Sequence, residues 1–455
     1  MSAVKTASAG ARLDRLPWTS FHTKLLVLLS LGEWIELYDL LGTGSLLPTV
    51  AEFYHASVAE TSVYLLSVVF FGAFFGAVVL GRLSDRIGRR TIVVYNLTIT
   101  SVMYFVSPFS PNLQIMGITR FIAGVGTGAE LPLMIALLGE FFPAKYRGRA
   151  TARAYVFSYT GPAAFAALAY VIVPTHVLLY GWQWMFIIGG LGLLVVLPLR
   201  FMIPESLRWL ESKGRTRECE DELSRIEAIA IKEKGQLPEP EIVAETPTLG
   251  RSNVRELFGK DYRKRTIMLW IMQFLQTGFS YAILTLGTAV LVSKGFTIVR
   301  SLGYQAVILA MPPIGFAVNS LIADSKRFDR KWQLSCGFGL FGALGLLFGL
   351  SVSPLEAVVT GAAMTFSNAA LYSSAMYTYP AELYPTRLRG TGASWQYSLS
   401  RIGNTLWLTL LPLVLVWYGG LAMLTVTAVL AWTASLDIAI LGPKASQTRL
   451  EVLSK

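Results

Sequence analysis

Apolar runs of about twenty residues alternate along this chain with short polar breaks, a rhythm that fits repeated passage through a bilayer. A helix needs roughly 20 apolar residues to cross about 30 Å of hydrocarbon. By that rule the first half predicts helices near 24–46, 61–82, 90–107, 113–141, 151–173 and 181–203. A second six are predicted near 266–292, 302–323, 332–352, 355–379, 391–416 and 419–440. Between the two sets lies one long polar stretch, 204–265, with a Pro/Glu segment at 237–247 and the patterning of short amphipathic helices. The expected organisation is therefore a leading segment 1–23, a six-helix bundle 24–203, a linker 204–265, a second bundle 266–440 and a tail 441–455.

An internal repeat supports the division. EFFPAKYRG at 140–148 recurs as ELYPTRLRG at 382–390, with Glu, Pro, a base, Arg and Gly in register. GRLSDRIGRR at 81–90 has a degenerate echo around Asp324, Arg330 and Lys331. Parallel six-helix repeats are a known way to build a transporter.

Charge then orients the chain. Arg82, Arg86, Arg89, Arg90, Lys145, Arg147, Arg149, Lys326, Arg327, Arg330, Lys331, Arg387 and Arg389 crowd the loops on one side. The opposite loops hold only Lys294 and Arg300, so the basic side and both termini are expected in the cytoplasm. The basic leader runs into an apolar stretch longer than a signal-peptide core, and the first helix is expected to stay as an anchor.

Composition agrees: of 455 residues, 53% are hydrophobic and only 15% charged. A net charge of +11 would suggest nucleic acid in a soluble protein, but here it follows the loops. Cys219 and Cys336 are too few for a disulfide framework. His22, His55 and His176 offer no metal-ligand spacing, and no nucleophile with a base or phosphate loop is visible. The expectation is a non-enzyme, without metal or cofactor, that acts as a monomer on small molecules and protons.

GRLSDRIGRR resembles the signature loop between helices two and three of the major facilitator superfamily. PESLRWL at 204–210 resembles the sugar-porter and organic-ion branches. LDRLPWTSFH at 13–22, GAELP at 128–132 and ELYPTRLRGTG at 382–392 look like nicotinate and organic-ion porters and their synaptic-vesicle-type relatives. The resemblance implies an all-α membrane protein of the major facilitator fold, with twelve transmembrane helices in two pseudo-symmetric six-helix bundles. It also implies that Gly81, Asp85 and Arg89 form a conformational latch joining the bundles in the outward-open state. Glu140 with Arg147, and Glu382 with Arg389, would complete the charge network.

Helix one carries Glu33, Glu36 and Asp39 at three-residue spacing, within an arc of roughly 120°. Intramembrane acids face a bundle interior and serve as ion or proton sites. Glu36 and Asp39 match paired acids in the family, with Glu where relatives commonly have Asp. Arg120 in helix four precedes Gly124, Gly126 and Gly128, as in the family's helix-four pattern. Counting at 1.5 Å per residue puts Asp39 about 8 Å and Arg120 about 10 Å below the outer face. The two are thus expected to pair, with Asp39 able to take a proton when the pair opens. Glu33 and Glu36 are rival proton carriers, and Glu130 is either a structural hydrogen-bond partner or a further functional acid.

Arg401 lies about 15 Å along helix eleven, near the midplane where transporter substrates bind. A basic residue at this place resembles the charge sorter of organic-anion carriers. Tyr397 and Asn404 lie one turn to either side, and Gln273, Gln276 and Tyr281 of helix seven are a weak echo of the sugar-porter glutamines. Together they form the candidate substrate site. Tyr64, Tyr372 and Trp407 are weaker candidates for stacking on a ring. The expected function is proton-coupled symport of a small organic anion. A sugar or polyol porter and a non-transporting receptor are the alternatives.

Overall fold

The computed structural model describes residues 9–443 except 193, 195–197, 199–201, 241–253, 323–328 and 385. Helices dominate, and the β-structure among the described residues is one antiparallel hairpin, His176–Val177 with Leu179–Tyr180. Eight helices are long and apolar enough to cross a bilayer, and the last, Trp395–Leu441, contains two spans. They part at Gly419, where φ is +83°, a conformation that costs glycine least. The first span, Ser20–Gly42, is as long as the others but carries its three buried acids where lipid-compatible residues would be. Its first turn is closed by the Thr19 amide, which donates to His22 Nδ1 at 3.2 Å. Of the sixth span, Gly181–Gly190 forms a continuous helix. The tenth runs as Pro354–Ser367, Asn368–Tyr372 and Ser373–Leu383, wound wider in its middle piece.

Close packing within the first half follows from small residues. Gly72 and Gly76 of the second span, Val58–Ile87, lie on the backbone of Phe121 and Val125 in the fourth, Leu113–Phe141. Gly124 and Gly128 answer from the fourth span onto Val69 and Ala73, so the two backbones nearly touch.

Two faces of the bundle differ. On the face away from the chain ends the halves are closed: Gly44 lies on the Thr285 backbone, and Ser62 Oγ donates to the Leu408 carbonyl at 2.7 Å. Thr409 Oγ1 donates to Ser67 Oγ at 3.0 Å. On the terminal face, by contrast, the ion pairs among the described residues stay within one half. Arg89 pairs with Glu140, Arg147 with Asp14 at 2.8 Å, and Arg330 with Glu382. Span five, Lys145–Ile172, still touches span eight, Ile298–Leu321, through Tyr155 and Phe316, whose rings stack 5.7 Å apart at 11°.

The linker folds back on the leading segment. Leu207–Ser212 and Thr216–Lys234 are helices, and the short helix Ala9–Asp14 docks on them. Arg12 donates to Glu220 and Glu227 at 2.7 Å each, and Arg15 to Glu227 at 2.6 Å. Burial works against the Glu227 charge, but the hydrogen bonds from Arg12 and Arg15 outweigh it and hold the carboxyl below its ordinary range.

Candidate functional site: a buried charge cluster above a polar cleft

In the first half, Arg120 reaches Asp39 with both terminal nitrogens, at 2.8 and 2.9 Å, while its Nε donates to the Leu65 carbonyl at 3.2 Å. Thr43 Oγ1 donates to Asp39 Oδ1 at 2.7 Å, and the rings of Phe186 and Tyr104 lie 5.3 and 5.7 Å from the guanidinium. Both charged groups are buried, at 1% and 2% exposure. A forked pair in a low-dielectric site is strong because each donor meets an oxygen and no water competes.

Glu33 and Glu36 are equally buried, yet one oxygen of each finds no hydrogen-bond partner. Both lie within electrostatic range of Arg401 without forming an ion pair to it. Glu130 joins this group. It begins the helix Glu130–Phe141, where the fourth span resumes after a turn at Gly128 and Ala129, and its carboxylate lies over Gly32. Asn96 Nδ2 approaches Glu130 at 3.5 Å. Spacing along span four did not bring Glu130 into the proton set. A usable signal was Gly32 beside Glu33, since only a residue without a side chain leaves room for a neighbouring carboxylate.

The second half contributes Arg401, 3% exposed, with Nη2 donating to the Tyr397 hydroxyl at 3.2 Å and Nε unpartnered. Among the described residues no carboxylate forms an ion pair with it. Beside it opens a cleft of about 590 Å³, part of it open solvent, between the halves. Gln273, Gln276, Tyr281 and Tyr397 line this cleft, with Tyr155, Tyr159, Phe316 and Tyr372 supplying further rings. Gln396 Nε2 donates to Gln273 Oε1 at 3.0 Å. Asn404 is buried with its amide against the Tyr281 hydroxyl and lies behind the lining. Tyr372 donates or accepts with Ser280 at 2.7 Å, whereas Tyr64 packs on Gly117 and Trp407 donates to the Phe274 carbonyl at 2.9 Å, both away from the lining.

The terminal face corrects one expectation. Glu140 does not pair with Arg147: its oxygens accept from Arg89 and from Ser206 Oγ at 2.5 Å. The chain bends at Phe142 and Pro143, turning Arg147 back to the Phe142 carbonyl at 2.8 Å and to Asp14. Glu382 accepts from Arg330, and the Arg389 side chain lies outside the described residues, as does Asp324. Gly81 has open space about it, and Asp85 is exposed, with its carbonyl accepting from Trp209 Nε1 at 3.0 Å. Glu205 of PESLRWL accepts from the amides of Arg89 and Arg90, at 2.8 and 3.2 Å, capping the third span. That motif therefore works as a brace on the first half.

A twelve-span bundle of two halves, closed on one face and with a buried cationic site beside a cleft, is the architecture of a secondary transporter. Residues 28–408 match the Major Facilitator Superfamily, and the chain belongs to that family. It is thus a multi-pass membrane transporter, not an enzyme. It is 30% identical over 399 residues to a niacin transporter of Acinetobacter baylyi, covering 87% of each chain. A benzoate transport protein of the same organism is 26% identical over 87% of this chain and 84% of its own. Among solved structures, a partially occluded inward-open xylose transporter from E. coli superposes with a TM-score of 0.74. It covers 95% of this chain and all of its own at 16% identity, a likeness of fold.

Proposed function

We propose that the chain is a proton-coupled symporter of a small organic anion, a carboxylate, working by alternating access. The observation that carries this reading is Arg401, a buried guanidinium just behind the cleft lining, hydrogen-bonded to Tyr397 of that lining and without a carboxylate ion pair among the described residues. A buried cation without a partner is costly and is met by an anionic ligand. The ring-rich walls and the relatives named for niacin and benzoate favour an aromatic acid. Asp39, Glu33 and Glu36 supply protonatable groups beside Arg120, and protonation there loosens the Asp39–Arg120 fork during turnover. Gly81, Asp85, Arg89, Glu140, Arg147, Glu382 and Arg389 belong to a latch on the terminal face that joins the halves in the outward-open state. The basic loops support a cytoplasmic placement for that face and both termini, in the cell membrane, with the monomer as the working unit. The bundle and linker limits inferred from hydropathy belong to the same proposal.

Radiolabelled nicotinate and benzoate uptake into proteoliposomes tests it, under an inward proton gradient with and without a protonophore. Accumulation that the protonophore collapses and Arg401→Gln abolishes is expected; accumulation retained in Arg401→Gln overturns the assignment. Gln273, Gln276 and Gln396 give a polyol porter some support, because paired amides suit hydroxyls. Sugars that compete with label where carboxylates do not would favour that reading.

A further inference from the structure

Among the described residues, and leaving aside Glu140 and Glu227 on the terminal face, the buried interior of the spans holds four carboxyl groups, Glu33, Glu36, Asp39 and Glu130, against two guanidinium groups, Arg120 and Arg401. Asp39 fills both terminal nitrogens of Arg120, so that pair is electrically closed. Arg401 alone remains to balance Glu33, Glu36 and Glu130. In a dry interior an unbalanced charge is expensive, and the least costly state has one ionised carboxylate among the three, with the other two neutral.

Glu36 and Glu130 line one small pocket together with Asn96, Thr100 and Thr127, and Glu33 stands one turn before Glu36 on the same helix, next to Gly32, over which the Glu130 carboxylate lies. Asn96 is itself buried with its Oδ1 unpartnered, and so is one oxygen of Glu36. A proton shared among these groups would satisfy buried atoms that otherwise lack a partner. The charged and titratable groups that face the trio are Arg401 from span eleven, Tyr281 from span seven, Tyr104 from span three, and Asp39 on the first span itself.

We propose that Glu33, Glu36 and Glu130 form the proton-binding unit, sharing one negative charge that the substrate carboxylate replaces at Arg401. When the anion docks on Arg401, the shared charge is no longer balanced, and the trio takes up one proton. One anion and one proton thus enter the site together, and net charge inside is unchanged. The Asp39–Arg120 fork keeps its charge during binding and serves the later movement of the halves. Glu130 is in this scheme a coupling residue, although it does not touch the substrate. The inference rests on the anion-symport reading above.

The test separates the two. Purified protein in weakly buffered detergent is mixed with nicotinate or benzoate, and bound ligand and proton uptake, by a pH indicator, are measured together. About one proton taken up per anion is expected, with Kd rising up to about tenfold per pH unit as pH increases. The triple replacement Glu33→Gln, Glu36→Gln and Glu130→Gln is expected to flatten this slope at least threefold, each single replacement to leave a slope carried by the two remaining acids, and Asp39→Asn to keep it while losing gradient-driven uptake. Size-exclusion and thermal unfolding check that each variant folds. A slope flattened only by Asp39→Asn overturns the inference and leaves proton-coupled transport standing. Anion binding by the parent protein without proton uptake likewise overturns it, whether or not any variant folds. If the parent protein binds neither acid, the anion-symport reading falls, and the inference with it.

Discussion

The two halves share a fold but not an interior. The first half encloses a closed ion pair and three further acids; the second encloses one guanidinium, amides and rings. Arg120 and Arg401 are both about as buried as a core leucine, yet Arg120 has a full complement of acceptors and Arg401 has one tyrosine hydroxyl. Burial alone therefore says little about what an arginine does in a membrane. Its partners decide: a satisfied one holds helices together, and an unsatisfied one is, in the function proposed above, the place for a ligand.

The largest expected effect breaks the satisfied pair. Arg120→Gln leaves Asp39 buried without its partner and is expected to destabilise the protein by about 3–5 kcal/mol. Thermal unfolding in detergent measures it, and Asp39→Asn in the same chain should recover most of the loss. Arg401→Gln makes the opposite case: anion affinity should fall at least about 30-fold, with thermal stability unchanged or higher. A large drop in stability there would erase the contrast.

A third prediction concerns the seam between the halves. Gly44 has the Thr285 backbone where a side chain would stand, so Gly44→Val cannot close that face in its present form. Overpacking of this kind costs about 1–3 kcal/mol, enough to shift the two-state balance about 5- to 100-fold toward opening away from the chain ends. Labelling of a cysteine introduced at Leu408 by a membrane-impermeant thiol reagent should rise accordingly.

The smallest effect lies in the leading segment. Glu227 keeps Arg15 as a second partner and Glu220 is 59% exposed, so Arg12→Ala should cost about 1 kcal/mol or less. Because Arg12 and Arg15 hold the Glu227 carboxyl below its ordinary range, the attachment is present at neutral pH and is lost as pH falls through that lowered value. Hydrogen-exchange protection at residues 9–20, taken relative to the intrinsic rate at each pH, should fall on acidification in the parent chain and show less further change in Glu227→Gln.

Much of the fold was legible because lipid imposes a length on every helix, and the repeat at 140–148 and 382–390 marks the two halves. Asp39 and Arg120 could be set at one depth by counting along two straight helices from known faces, and their side chains meet. Counting failed where helices bend or are rewound. Glu130 follows a turn at Gly128 and Ala129 and its carboxylate lies over Gly32, and the bend at Phe142 and Pro143 leaves Glu140 to Arg89. The brace by Glu205 and Ser206 joins residues far apart in sequence through a linker, which no local period reveals.

The docking of Ala9–Asp14 onto Thr216–Lys234 bears on how the chain is made. Arg12 is held by Glu227, made 215 positions later, after the chain of six spans has been translated. Synthesis of the first half thus ends by fastening its own beginning, before span seven has been translated. A half secured in this way can wait in the membrane as a finished piece while its counterpart is assembled beside it.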